Sequence, residues 1–173
     1  MPIYSGSTKV ENLHIGGTKV GEGWIWDGTT WVQVYSSVSP FAPSGMVKSG
    51  THALTGSWAR VTGWTADPAY PGSTVVSNAL AAQGGGPAKT VSAAIPFTGA
   101  NQFGGGGVRA RLLRNGVVIG TGTAVSGASG TASCTVANVT VVAGDVFAVE
   151  AIDTNATWQG TVSAGSSTFV RVT

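Results

Sequence analysis

The chain predicts an all-β protein: a small N-terminal β-hairpin repeat unit followed by an antiparallel β-sandwich of jelly-roll type. Three observations lead there. Charged residues make up only 9% of the 173 positions while glycine supplies 27, so the makings of charged helix faces are missing. Val, Thr, Trp and Gly favour strands and tight turns instead. Short alternating runs recur between Gly, Pro and Asn breaks, and no segment carries a helical period. An eight-residue motif also occurs three times in the first 35 residues.

The copies span residues 3–10, 13–20 and 25–32. Each reads aliphatic, aromatic or His, any residue, Gly, small, Thr, any residue, Val. Tyr4, His14 and Trp26 share the second position, and Gly6, Gly16 and Gly28 the fourth. Two extended stubs around a glycine turn form a small hairpin. One hairpin leaves its apolar side chains uncovered, so three in tandem imply a stacked repeat. Residues 1–36 are assigned to this unit. Residues 37–50, with Pro40, Pro43, Ser44 and Gly45, read as a linker with a short docking contact from Phe41. Residues 51–173 form the head.

Within the head, 57–64 alternates, with Trp58, Arg60, Thr62 and Trp64 on one face. Strands follow at 74–80 and 89–95, separated by the flexible glycine-rich run 83–87, and 104–107 is a loop. The clearest hairpin is 108–121, in which Asn115-Gly116 supplies the two positive-φ residues of a type I′ turn. A long strand at 131–142 leads through the turn Ala143-Gly144-Asp145 into 146–152, and strands at 157–162 and 168–172 close the domain. About eight or nine short antiparallel strands at this spacing make a sandwich or jelly roll.

Composition also excludes functions. The net charge is +2, and Arg109, Arg111 and Arg114 are the nearest approach to a basic cluster, far short of a nucleic-acid stripe. No stretch is long enough to cross a bilayer, and the N-terminus carries no export signal. The single cysteine, Cys134, rules out an intrachain disulfide and reads as a small core residue. Seven acids and two histidines offer little acid–base chemistry, and no nucleophile elbow or phosphate loop is present. The chain is therefore expected to be no enzyme and to need no cofactor or metal. Asp145 is expected to cap backbone amides of its turn and Glu150 to pair with a cross-strand Arg. Calcium ligation by Asp145 or Asp153 is the less favoured alternative. His14 stands where Tyr4 and Trp26 stand, which makes it a flat packing group, and His52 stands alone.

Six tryptophans carry the remaining signal. Tyr4, His14, Trp24, Trp26 and Trp31 are assigned to docking on a partner. Trp58, Trp64 and Phe169 are assigned to contacts between copies of the head, because so few charges leave a wide apolar face in need of cover. Core packing is the plainer role for each of these aromatics, and exposed rings also stack on sugars.

The recurring Ile/Leu-aromatic-x-Gly-small-Thr-x-Val unit resembles the N-terminal repeat of minor tail proteins in phages of actinobacteria. Residues 59–64, 108–116, 143–146 and 164–170 are similar to small phage accessory domains with a tumour-necrosis-factor-like jelly roll. The resemblance implies a homotrimeric virion structural protein, assembled in the host cytoplasm and extracellular after lysis. Its repeat would dock on other virion proteins, and its head would attach to a host-surface glycan or protein. A capsid decoration protein and a carbohydrate-binding module are the alternatives.

Overall fold

The computed structural model describes residues 4–5, 8–9, 14–15, 18–19, 21–36, 40–101, 105–155 and 158–173. They form two compact units, Met1–Pro40 and Phe41–Thr173. Among the described residues every regular element is a strand, and every pairing is antiparallel.

The first unit contains three strand pairs: β1 (Tyr4–Ser5) with β2 (Thr8–Lys9), β3 (His14–Ile15) with β4 (Thr18–Lys19), and β5 (Glu22–Trp26) with β6 (Trp31–Ser36). The register repeats with the motif. Tyr4 lies opposite Lys9, His14 opposite Lys19 and Trp26 opposite Trp31. The same motif position thus makes the same pairing three times.

In the second unit the strands are β7 (Ser44–Lys48), β8 (His52–Ala53), β9 (Ala59–Arg60), β10 (Trp64–Ala66), β11 (Thr74–Val76), β12 (Ala79–Ala81) and β13 (Gly86–Thr98). They continue with β14 (Val108–Arg114), β15 (Val117–Thr121), β16 (Ser129–Val141), β17 (Val146–Asp153), β18 (Thr161–Val162) and β19 (Gly165–Val172). The larger sheet runs β10-β7-β19-β13-β18-β8, with β16 also on β13. The smaller runs β11-β12-β17-β14-β15, with β9 on β17. Alternation decides which side chains meet. Val91, Ala93, Ile95 and Phe97 of β13 face inward, as do Leu112 of β14 and Phe147 and Val149 of β17, and all are buried in one core. Each such large side chain contributes about 1.5–3 kcal/mol through burial. This is the expected sandwich.

Three expected elements are corrected. The linker assigned to 37–50 contains β7, which lies inside the larger sheet between β10 and β19, with Met46 fully buried. Pro43 directly precedes β7, where its missing N–H removes no ladder bond from that strand. Gly45 is required because an added Cβ would lie 2.7 Å from Tyr70 Cδ2. The head therefore begins at Phe41, not at 51. The single strand expected over 57–64 is two strands in opposite sheets. Gly63, at φ +77°, lies between them where the chain crosses over. The run 74–80 is a hairpin, β11–β12, turned by Ser77 and Asn78 at φ +48° and +59°. The Asn115-Gly116 turn is as expected, with φ +51° and +83°. The last expected strand before β19 is reduced to Thr161–Val162 among the described residues.

Candidate functional site

The β5–β6 hairpin is built from its turn outward. The Asp27 amide donates to the Thr30 carbonyl at 3.1 Å. Asp27 Oδ1 accepts the Thr30 and Thr29 amides at 2.8 Å each and the Thr29 hydroxyl at 2.9 Å. These bonds, the Thr30 amide foremost, hold the carboxyl below its ordinary range. Gly28 takes φ +104°, which a β-branched residue resists. The turn then sets Trp26 directly against Trp31, the two indoles meeting edge to face at 5.7 Å.

Period-two geometry puts Trp24 on the face that Trp26 and Trp31 share, and puts Ile25 and Val32 opposite each other on the reverse. Trp24, Trp26 and Trp31 are 50%, 54% and 63% exposed, and Ile25 is 53%. A two-stranded hairpin has no second layer to cover either face. Both faces are therefore apolar and open to solvent. Tyr4 and His14 hold the equivalent register position by backbone pairing, and their side chains lie outside the described residues.

The three residues assigned to contacts between heads are not brought together. Trp64 is buried in the core of its own head, its indole N–H donating to the Val61 carbonyl at 2.8 Å, so its assignment as a contact residue is overturned. Trp58 is half-buried against the outer face of the smaller sheet, with the Arg111 guanidinium 4.4 Å from its ring centre. Phe169 lies on the larger sheet, covered by the Arg171 guanidinium at 4.1 Å. Arg171 is held there by Asp67, with Nε and a terminal nitrogen at 3.0 and 2.9 Å from one carboxylate oxygen. Two opposed outer faces and a core do not make one contact surface.

The smaller sheet carries what sequence reasoning missed, a row of uncharged side chains across its outer face. Val76 pairs with Ala79, Ala148 with Leu113, and Leu113 with Val118, and the Leu80–Phe147 pairing places Ala79 beside Ala148. Val76 and Val118 are exposed at its two ends, while Ala79, Ala148 and Leu113 between them are already buried within the head. The row is invisible in sequence because its members come from five strands.

Several titratable groups of the second unit are held by structural contacts. Asp145 accepts the Val142 amide at 2.7 Å and the Asn115 side-chain amide at 2.7 Å, and pairs with Arg114 at 2.7 Å. Burial pushes its carboxyl up, but Arg114, Val142 and Asn115 outweigh this and hold it below the ordinary value. Glu150 lies opposite Arg111 in register and pairs with it at 2.6 Å. Both expected roles are present. Cys134 is buried, and that burial pushes its thiol up. Lys48 is buried too, its ammonium donating to the carbonyls of Gly50 at 2.8 Å, Ser49 at 3.1 Å and Thr51 at 3.3 Å. His52 Nδ1 lies 3.3 Å from the Thr62 hydroxyl, and burial followed by the Lys48 charge lowers its basicity. Among the described residues no three His, Cys, Asp or Glu converge as metal ligands.

No family model and no curated protein matches this chain. The exposed aromatic hairpin is thus the feature on which a functional reading rests.

Proposed function

We propose that this is a non-enzymatic phage virion protein, a minor tail protein whose N-terminal unit docks on the particle and whose sandwich projects as a homotrimeric head for host-surface attachment. The observation that carries the proposal is the β5–β6 hairpin, with three exposed indoles on one face and Ile25 and Val32 on the other. Tryptophan clusters of this kind anchor protein interfaces, and these three indoles stand exposed. The threefold recurrence of one pairing register supports a repeated docking element. The resemblance of the motif to tail-protein repeats supports the virion context.

The trimer rests on the resemblance to trimeric jelly rolls and on the scarcity of charge, with the exposed Val76 and Val118 of the smaller sheet's outer face in place of the contact assigned to Trp58, Trp64 and Phe169. A closed symmetric assembly covers such side chains without leaving open ends. Gold labelling of intact particles under the electron microscope tests the assignment. Label on the tail is expected. Label confined to the capsid shell would replace the tail reading with capsid decoration, and unlabelled particles would end the virion reading altogether.

A further inference from the structure

At one end of the sandwich, β17 closes on Asp153, which lies opposite Val108 on the core-facing side and is 0% exposed. Its carboxylate accepts the Asn155 backbone amide at 3.1 Å, the Asn155 side-chain Nδ2 at 2.5 Å and the Gly160 amide at 2.8 Å. Among the described residues no Lys, Arg or His pairs with it, and the three ion pairs involve Glu150, Asp145 and Asp67 instead. Buried charges are ordinarily paired or bound to metal, because three N–H dipoles offset only part of the lost hydration.

A second observation falls on the same loop. Asn155 is 3% exposed, and its Oδ1 is buried with no donor. As placed, the amide turns Nδ2 to the carboxylate and leaves its oxygen unanswered. Turned over, it would set Oδ1 against the carboxylate, two acceptors side by side. A cation placed between the two residues would answer both oxygens at once.

We propose that Asp153 and Asn155 hold a calcium ion, with the Asp153 carboxylate and the Asn155 carbonyl as its side-chain ligands. Calcium is a hard cation that takes only oxygens and tolerates irregular geometry, and a D-x-N spacing delivers two of them from one loop. With a single carboxylate, the affinity belongs to the weak class, a dissociation constant of about 10⁻⁴–10⁻³ M. The ion would also brace three segments. The Asp153 amide donates to Thr55, Gly160 donates to Asp153, and the Thr154 hydroxyl bonds Gly107 at 3.0 and 3.1 Å.

The test uses the full chain stripped with a chelator, titrated with calcium chloride by calorimetry and by thermal unfolding. One calcium per chain and a rise of about 5 °C in the head's melting temperature at saturation are expected. Asn155→Ala keeps the backbone donors to Asp153 and should bind at least tenfold more weakly. Asn155→Asp adds a second carboxylate. It should melt lower than the parent without calcium and bind at least tenfold tighter. No calcium-dependent change in the parent chain overturns the proposal. So does an equal rise with sodium chloride at matched ionic strength, or an unchanged affinity in Asn155→Asp. Should Asn155→Ala fail to fold, the parent and Asn155→Asp titrations still decide.

Discussion

Met46→Ala separates a core strand from a linker at the point where sequence and structure differ most. Met46 is fully buried in β7 and belongs to the core shared with Leu80, Ile95 and Phe147. Its backbone pairs on both sides, with Val170 of β19 and Ala66 of β10, so the site has little freedom to collapse onto a smaller side chain. Removing the buried side chain beyond Cβ costs its transfer free energy plus the cavity left behind, about 2–5 kcal/mol for Met→Ala. For a domain of this size each kcal/mol lowers the melting temperature by about 3–5 °C, so a drop of at least about 6 °C is expected. An exposed linker residue would change stability by about 0.5 kcal/mol or less. Urea unfolding followed by far-ultraviolet circular dichroism, with thermal melts in parallel, distinguishes the two. A loss below about 0.5 kcal/mol with an unchanged denaturant slope would refute the placement of β7 in the core.

A chain of residues 41–173 should fold with the cooperativity of the intact head, whereas residues 51–173, which lack β7, should show no cooperative unfolding; equal melts would contradict the sheet order. Gly116→Val should lose about 1–3 kcal/mol from positive φ alone, since an added Cβ there meets nothing within 4 Å, and an unchanged melt would show that the turn relaxes. Asp145 has a folded-state pKa below its ordinary value, so its stabilising contribution is present above about pH 4 and disappears as pH falls through the lowered folded value. Urea midpoints between pH 5 and 2 should therefore fall more steeply in the parent chain than in Asp145→Asn, and parallel curves would contradict the Arg114 clamp.

Much of the sandwich was legible wherever local chemistry alone determines the conformation. Asn115-Gly116 announces its hairpin because a type I′ turn needs two residues that tolerate positive φ. The alternation in 89–95 marks β13 because one face of it is core. β7 was not legible, since Ser44 and Gly45 look like turn residues and their small size is explained only by Tyr70 and Asp67 packing on Gly45 from elsewhere in the chain. The alternation from 57 to 64 carries on through a crossover between sheets, so periodicity gave no sign of the break at Gly63. Lys48 carried no sequence signal either, because its carbonyl partners are backbone groups that any sequence possesses. In the candidate site the indoles of Trp24, Trp26 and Trp31 were legible as a cluster, and the pairing register adds that all three share one face.

The docking role of those indoles is tested most directly by replacing Trp24, Trp26 and Trp31 together with serine in the full-length chain. The copy number of the protein in purified particles would then be counted by quantitative mass spectrometry, with the melting temperature of the head as a control. The account predicts near-complete loss of the protein from particles with no change in head stability. Incorporation at the parental level would contradict it.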